Sequence, residues 1–169
     1  MSSLFKLFVS QFSLLKEKGT NQTDIDEELD PSIIDSDHEL HIYKEVLYNM
    51  DAKQIYLDSS LSLVKLSSVV GTNTTYLSNS INKHFGCNFK TLINRYRVEY
   101  CKKLLGTNPM SVPIKEIAKN CGFSSVSAFY ASFKKLTGIS PVQYRMLTVY
   151  RNEINKSTDL KVDNLIKQE

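Results

Sequence analysis

Apolar residues recur at i, i+3, i+4 and i+7 along most of the chain, which predicts an all-α protein. One helix is predicted from Glu39, and its apolar positions are Leu40, Tyr43, Leu47 and Met50. Residues 4–18 carry a similar stripe and predict a short amphipathic helix. Residues 19–38 are polar and acidic and contain Pro31, so they predict a loop or linker.

The pattern next predicts two short helices separated by a tight turn. Ser62 is a suitable N-cap for the first of them, and Gly71 supplies the turn. Asn73 caps the second helix, which is predicted to run to about Phe85. Gly86 then closes it, because glycine adopts the left-handed backbone common at helix ends.

A longer helix follows from about Asn88 to Gly106. Its predicted apolar side is Phe89, Leu92, Ile93, Tyr96, Tyr100 and Leu104. The stretch from Ile114 to Arg145 then predicts a short helix, a turn at Gly122, a longer helix, and a capped helix opening at Ser140-Pro141. A short helix, a turn and a second helix form the layout of a helix-turn-helix.

The chain matches itself when it is shifted by about fifty residues. At an offset of 51, Leu63, Leu66 and Gly71 fall on Ile114, Ile117 and Gly122. At 52, Leu77, Ile81, Lys83, Gly86 and Leu92 fall on Phe129, Phe133, Lys135, Gly138 and Tyr144. We interpret this as two copies of one unit. The alternative is two generic three-helix units that share only packing rules.

Charge is distributed very unevenly, although the net charge of the whole chain is only +3. Residues 1–45 hold four Lys against ten acidic residues, whereas 46–151 hold fourteen Lys and Arg against four acidic residues. Residues 152–169 are nearly neutral. A basic block of this kind is typical of a surface that contacts phosphates, and the alternative is a basic domain that is merely soluble.

Stepping about 100° per residue separates the inner and outer faces of the second helix in each unit. In the first unit the predicted inner residues are Leu77, Ile81 and His84, and the outer ones are Thr75, Asn79 and Asn82, with Ser78 at the edge. In the second unit Phe129, Phe133 and Leu136 are predicted inside, and Ser127, Ala131 and Lys134 outside, with Tyr130 at the edge. Both outer faces begin with small polar residues.

The outer face of the first unit suits the base edges of a DNA major groove, where Asn bonds adenine bidentately and hydroxyls pair with several bases. Ordinary solvent exposure is the alternative for Asn79 and Asn82. In the second unit Ala131 offers only apolar contact, while Lys134 and Lys135 suit phosphates. We therefore expect more sequence recognition from the first unit and more backbone contact from the second.

Other chemistry finds little support in the sequence. Cys87, Cys101 and Cys121 lack metal-ligand spacing, and we expect buried free thiols in a reducing compartment. His38, His41 and His84 show no zinc spacing, and no nucleophile or phosphate-loop motif occurs, so we expect no enzyme, cofactor or metal. The absence of a long apolar run or a signal-peptide pattern predicts a soluble cytoplasmic chain with no membrane contact.

The stretch IKEIAKNCGFSSVSAFYASFKKLTGISPVQYR resembles the signature region of the AraC/XylS family of bacterial transcription regulators. The shared features are Ile117-Ala118, Gly122-Phe123, Phe129 to Lys135, Gly138 to Pro141, and Tyr144-Arg145. The resemblance extends over roughly 40–150 and implies two helix-turn-helix units joined by a long helix. It also implies recognition helices that enter neighbouring major-groove segments on one face of the DNA.

From the resemblance and the outer faces together we predict two sets of DNA contacts. Base contacts are expected from Thr74, Thr75, Ser78, Asn79, Asn82, Val126, Ser127, Tyr130 and Ala131. Phosphate contacts are expected from Asn73, Lys83, Arg95, Arg97, Ser124, Ser125, Lys134, Lys135 and Arg145. Many family members carry Arg where this chain has Ala131.

The predicted organisation is a DNA-binding domain between two peripheral segments. These are an amphipathic segment with an acidic linker (1–38), the domain (39–151) and a polar tail (152–169). Within the domain we expect the first unit at 39–88, the joining helix at 89–106 and the second unit at 107–151.

Double-stranded DNA and RNA polymerase are the expected partners, and residues 1–38 would engage a second copy or an upstream sensor domain. Residues 1–38 match no cupin-like sensor domain. The rest of the chain also resembles the output domains of larger sensor proteins. The alternative function is a protein-interaction or signalling module without DNA specificity.

Overall fold

The computed structural model describes residues 31–107, 112–151 and 154, with side chains from Asp37 onward. The α-helices are α1 Pro31–Asp51, α2 Leu63–Val70, α3 Thr74–Phe85, α4 Phe89–Thr107, α5 Ile114–Asn120, α6 Val126–Thr137 and α7 over residues 141–151. A short 3-10 helix, Ile55–Leu57, precedes α2. Throughout these ranges the secondary structure is helical and without strands, so the all-α prediction is confirmed. The helix predicted at 4–18 and the tail beyond 154 lie outside the described residues.

Polar side chains cap the two short helices of the first unit, α2 and α3, as the sequence predicts. Ser62 Oγ accepts a hydrogen bond from the backbone N–H of Lys65 at 3.1 Å, and Asn73 Oδ1 accepts one from Tyr76 at 2.9 Å. Gly71 ends α2 with a φ of 77°. These local bonds satisfy donors that a helix leaves free in its first turn.

The start of α7 has a reciprocal cap. Ser140 Oγ accepts from the N–H of Gln143 at 3.2 Å, and Gln143 Oε1 accepts from the N–H of Ser140 at 2.9 Å. Pro141 occupies the first helical position, where its missing N–H costs nothing. The predicted helix start at Ser140-Pro141 is confirmed.

The beginning of α1 differs from the prediction. The helix begins at Pro31, so the loop predicted for residues 31–38 is wrong. Proline breaks a helix interior but fits the first turn, and the sequence alone did not distinguish these two roles. The buried face of α1 also differs, because Ile42, Val46 and Met50 are fully buried whereas Leu40 and Leu47 are only half-buried.

Two hydrophobic cores lie along the chain, and α4 contributes to both. The first core contains Ile42, Val46, Met50, Tyr56, Leu61, Leu66, Val70, Leu77, Ile81, Leu92 and Ile93. The second contains Val98, Cys101, Leu105, Ile117, Ala118, Cys121, Phe123, Phe129 and Phe133. The N-terminal half of α4 therefore completes the first unit and its C-terminal half completes the second.

The cysteines depart from the prediction of three free thiols. Cys101 of α4 and Cys121 at the end of α5 form a disulfide, with their Cα atoms 5.9 Å apart, and Cys87 is free and half-buried. The prediction is wrong for the first two because α4 and α5 meet at these positions in the second core. Sequence spacing alone does not show that contact.

No helix among the described residues combines the length and the apolar character needed to cross a membrane.

Candidate nucleic-acid interface

The face of α3 that points away from the first core is polar. Thr75, Asn79 and Asn82 are exposed, whereas Leu77 and Ile81 are fully buried. This confirms the predicted orientation of the helix. Two other predicted base-contact residues, Thr74 and Ser78, are half-buried at the edges of this face. The face presents hydroxyl and amide groups without a charge, which are groups able to bond base edges.

The corresponding face of α6 is smaller and less polar. Ser127 and Ala131 are exposed, and Val126 and Tyr130 are half-buried. The Tyr130 ring packs edge-on against Phe129, with 5.7 Å between centroids, so its position is fixed by the second core. Phe129 and Phe133 are buried as predicted, but Leu136 is 39% exposed and its predicted place in the core is wrong. The core ends at Phe133, one turn earlier than the helical period alone suggested.

Most residues of the predicted phosphate-contact set lie on the surface. Asn73, Lys83, Arg95, Ser124, Ser125, Lys134 and Lys135 are exposed. Asn73 and Ser125 also cap α3 and α6, so their side-chain oxygens are already engaged by backbone N–H groups at 2.9 and 3.2 Å. Helix N-termini favour anions, which is consistent with phosphates near these caps.

Two arginines of the predicted set are buried, so in this structure their side chains are not exposed to a phosphate. Arg97 is 9% exposed and Arg145 is 6% exposed. Arg97 Nε donates to the carbonyl of Tyr56 at 2.7 Å, and its Nη2 donates to that of Asp58 at 2.9 Å. Burial lowers the pKa of the Arg97 guanidinium from its usual value. Positive charge in the sequence did not show that these side chains point inward.

Lys83, near the end of α3, is linked to α1. Its Nζ donates to Glu39 Oε2 at 2.7 Å, and His84 Nε2 lies 2.9 Å from Glu39 Oε1. The His84 ring stacks on the buried Tyr43 and its side chain is 26% exposed, so His84 lies on the predicted inner face, at the margin of the core. The hydrogen bond from Lys83 lowers the pKa of Glu39, while partial burial opposes that shift.

The sequence did not single out Tyr76, which is 48% exposed on α3. Its ring meets His38 of α1 edge-on, with centroids 5.4 Å apart. A cavity of about 160 Å³ lies here and is lined by His38, Glu39, Ile42, Tyr76, Asn79, Ser80 and Lys83. The spacing of Tyr76, Asn79 and Lys83 is helical and was available as a signal. What the sequence did not supply was the position of α1 beside them.

Within the described ranges, no group of three or more His, Cys, Asp or Glu side chains is placed to hold a metal ion. The exposed faces of α3 and α6 carry hydroxyl, amide and basic side chains.

These features define a class of protein, the DNA-binding domains built from two helix-turn-helix units. A family described as a helix-turn-helix domain matches residues 66–146. The C-terminal domain of the two-component response regulator yesN from Fusobacterium nucleatum is 36% identical, with a TM-score of 0.54 over 60% of this chain and 96% of that one. The chain belongs to the AraC/XylS family of transcription regulators.

The chain is also similar to part of a longer protein and to a further solved structure. An HTH-type transcriptional regulator of Staphylococcus aureus is 35% identical over 96 residues, which are 56% of this chain and 12% of that protein. The chain thus spans about an eighth of the length of this relative. The DNA-binding domain of AdpA, solved with a target DNA, shares the fold with a TM-score of 0.57 at 20% identity, over 65% of this chain and 94% of that one.

Proposed function

We propose that the chain is a sequence-specific DNA-binding transcription factor that inserts α3 and α6 into adjacent major-groove segments. The observation that carries this proposal is the pair of capped helices, each with its apolar side in a core and its hydroxyl or amide side exposed. A major groove accepts one α-helix, and hydroxyls and amides are able to bond base edges there. The DNA-binding domain of AdpA, which was solved in complex with a target DNA, has the same fold, and this supports DNA as the ligand.

The two helices have unequal roles in this proposal. The face of α3 carries Thr75, Asn79 and Asn82, and supplies most of the base contacts. On α6 the small face of Ser127 and Ala131 lies near Lys134 and Lys135, which favours phosphate contacts. Sequence preference therefore resides mainly in the first unit, and the second unit adds affinity.

A gel-shift series over salt concentration tests the proposal against a protein-interaction module that does not bind DNA. Because bound phosphates release counterions, affinity should fall log-linearly with salt. Affinity for duplexes selected from a random pool should exceed that for random duplex. Absence of binding to any duplex, or binding that salt leaves unchanged, would refute the proposal.

Lys134→Ala sharpens this test. Loss of one phosphate contact should weaken binding to every sequence alike and flatten the log-log salt slope by about 1. Lys44→Ala is the matched control, because Lys44 is exposed on α1 and outside the predicted contact set. An unchanged slope for the Lys134 variant would remove this residue from the interface.

A further inference from the structure

The two helix-turn-helix units touch each other directly, away from the axis of α4. Gly122, in the turn of the second unit, has a φ of 82°. A Cβ atom at this position would lie 2.6 Å from the carbonyl oxygen of Tyr56 and 2.7 Å from that of Leu57. Real Cβ atoms do not approach backbone oxygens so closely, and only glycine fits. The turn of the second unit therefore lies against the main chain of the first.

Arg97, on α4, binds the same main-chain segment of the first unit, residues 56–58. Its Nε and Nη2 donate to the carbonyls of Tyr56 and Asp58 at 2.7 and 2.9 Å. The guanidinium carbon also lies 5.6 Å from the ring centroid of Phe123, which follows Gly122. One planar group thus joins the 3-10 helix of the first unit, α4, and the turn of the second unit. Charge-assisted bonds in a fixed fork geometry are stronger and more directional than those of neutral donors.

We propose that this junction, formed by Arg97, Gly122, Phe123 and the carbonyls of residues 56–58, sets the spacing of the two DNA segments that one chain binds. A joining helix alone leaves freedom to twist and bend between its two ends. A second contact off the helix axis removes that freedom and holds α3 and α6 in one relative orientation. Arg97 is a positioning residue, since its side chain is buried and donates to these carbonyls. The inference rests on the proposed function.

The spacing of two half-motifs in DNA provides the readout. Duplexes selected by the wild-type chain are rebuilt with one base pair added or removed between the half-motifs, and a third set keeps one half-motif only. Binding through two linked helices gains affinity only when both engage together, so wild-type Kd should rise by about 10- to 100-fold on altered spacings. A one-base-pair change also rotates one half-motif around the duplex by roughly a tenth of a turn.

Gly122→Ala and Arg97→Lys disturb the junction from its two sides. For both variants we expect the Kd ratio between altered and original spacing to fall towards 1, while Kd on the single half-motif stays within about twofold of wild type. Gly138→Ala is the matched control for the first, because its φ is 81° and no atom lies within 4 Å of an added Cβ. Arg151→Lys, exposed on α7 and outside the predicted contact sets, is the control for the second.

A thermal melt accompanies each variant. If Gly122→Ala or Arg97→Lys fails to fold, Phe123→Leu is used, since it keeps the backbone and an apolar side chain while removing the ring beside the guanidinium. Folded junction variants that retain the wild-type spacing ratio, or lose affinity equally on the single half-motif, would overturn the inference. A wild-type chain that binds no DNA, or that selects one half-motif only, would instead overturn the proposed function.

Discussion

At the scale of single residues, Asn79 is the side chain on which the proposed recognition depends most. It is exposed on α3, beside Thr75 and one turn before Asn82. An amide that bonds adenine through both its donor and its acceptor discriminates against other bases by about 1–3 kcal/mol. We expect Asn79→Ala to weaken binding to selected duplexes by about this amount and to leave binding to random duplex nearly unchanged.

Fluorescence anisotropy measures the Kd of the wild type and of the variant for selected and for random duplex. Asn120→Ala, which removes an exposed amide from α5, is the control. An equal loss on selected and random duplex would show that Asn79 does not contact bases.

Glu39 predicts a specific pH dependence of stability. Its pKa is lower in the folded chain, because the carboxylate accepts from Lys83 and lies beside His84. The ionised carboxylate therefore stabilises the fold above the ordinary value of 4.5, and this contribution disappears as pH falls through the lower folded value. Urea unfolding of wild type and Glu39→Gln should differ near neutral pH and converge in acid.

Glu116→Gln, which changes an exposed carboxylate of α5, serves as the control for this comparison. If the free energies of unfolding of wild type and Glu39→Gln still differ as much at the lowest accessible pH, the ion pair between Glu39 and Lys83 is not the cause of the difference.

Side-chain direction was predictable from the sequence only where it depends on the helix itself. The 3.6-residue period correctly placed Leu77, Ile81, Phe129 and Phe133 inside. It did not show where the second core ends, and so it misplaced Leu136. It also gave no indication that Arg97 turns inward, because the carbonyls that receive it lie about forty residues earlier in the chain.

At the scale of elements, α1 belongs to the first unit although it lies before the residues matched by the helix-turn-helix family. Ile42 is 1% exposed in the first core. Removing a buried isoleucine side chain beyond Cβ leaves a cavity and costs about 2–5 kcal/mol. We expect Ile42→Ala to lower the free energy of unfolding by this amount.

Chemical denaturation monitored by circular dichroism measures the change. Leu40→Ala, on the same helix but half-buried, should cost clearly less. Equal small effects from both substitutions would mean that α1 is not part of the cooperative fold.

Helix boundaries were predicted well where local chemistry sets them. Ser62, Asn73 and Ser140 bond backbone N–H groups within three residues, so their role is visible in a short stretch of sequence. The start of α1 was missed since Pro31 fits both a loop and a first helical turn. The disulfide between Cys101 and Cys121 was missed because it depends on how α4 meets α5.

At the scale of the whole molecule, the uneven charge predicts a long-range effect on DNA binding. Residues 1–45 carry ten acidic residues, while the helix-turn-helix block is basic. Replacing Asp24, Asp26, Glu27 and Glu28 by their amides should tighten binding to random duplex at low salt, because negative charge in the chain repels phosphates. The difference in affinity between the wild-type and amide chains should disappear at high salt, where electrostatic repulsion is screened.

Nitrocellulose filter binding at several salt concentrations measures this effect. Two exposed neutral substitutions, Ser59→Ala and Ser68→Ala, taken one at a time, show the scatter in affinity expected without a charge change. Identical low-salt affinity for the wild-type and amide chains would show that the acidic residues at 24–28 do not repel DNA.

The position of α4 in both cores has a consequence for how the molecule unfolds and how it evolved. Leu92 and Ile93 complete one core, and Val98, Cys101 and Leu105 complete the other, so neither unit retains a closed interior once this helix melts. The two repeats are therefore not independent modules, and a weakness in one lowers the stability of the other. If the two units arose by duplication, they have shared the helix α4 since then. A substitution that one unit tolerates is therefore also constrained by its effect on the core of the other unit.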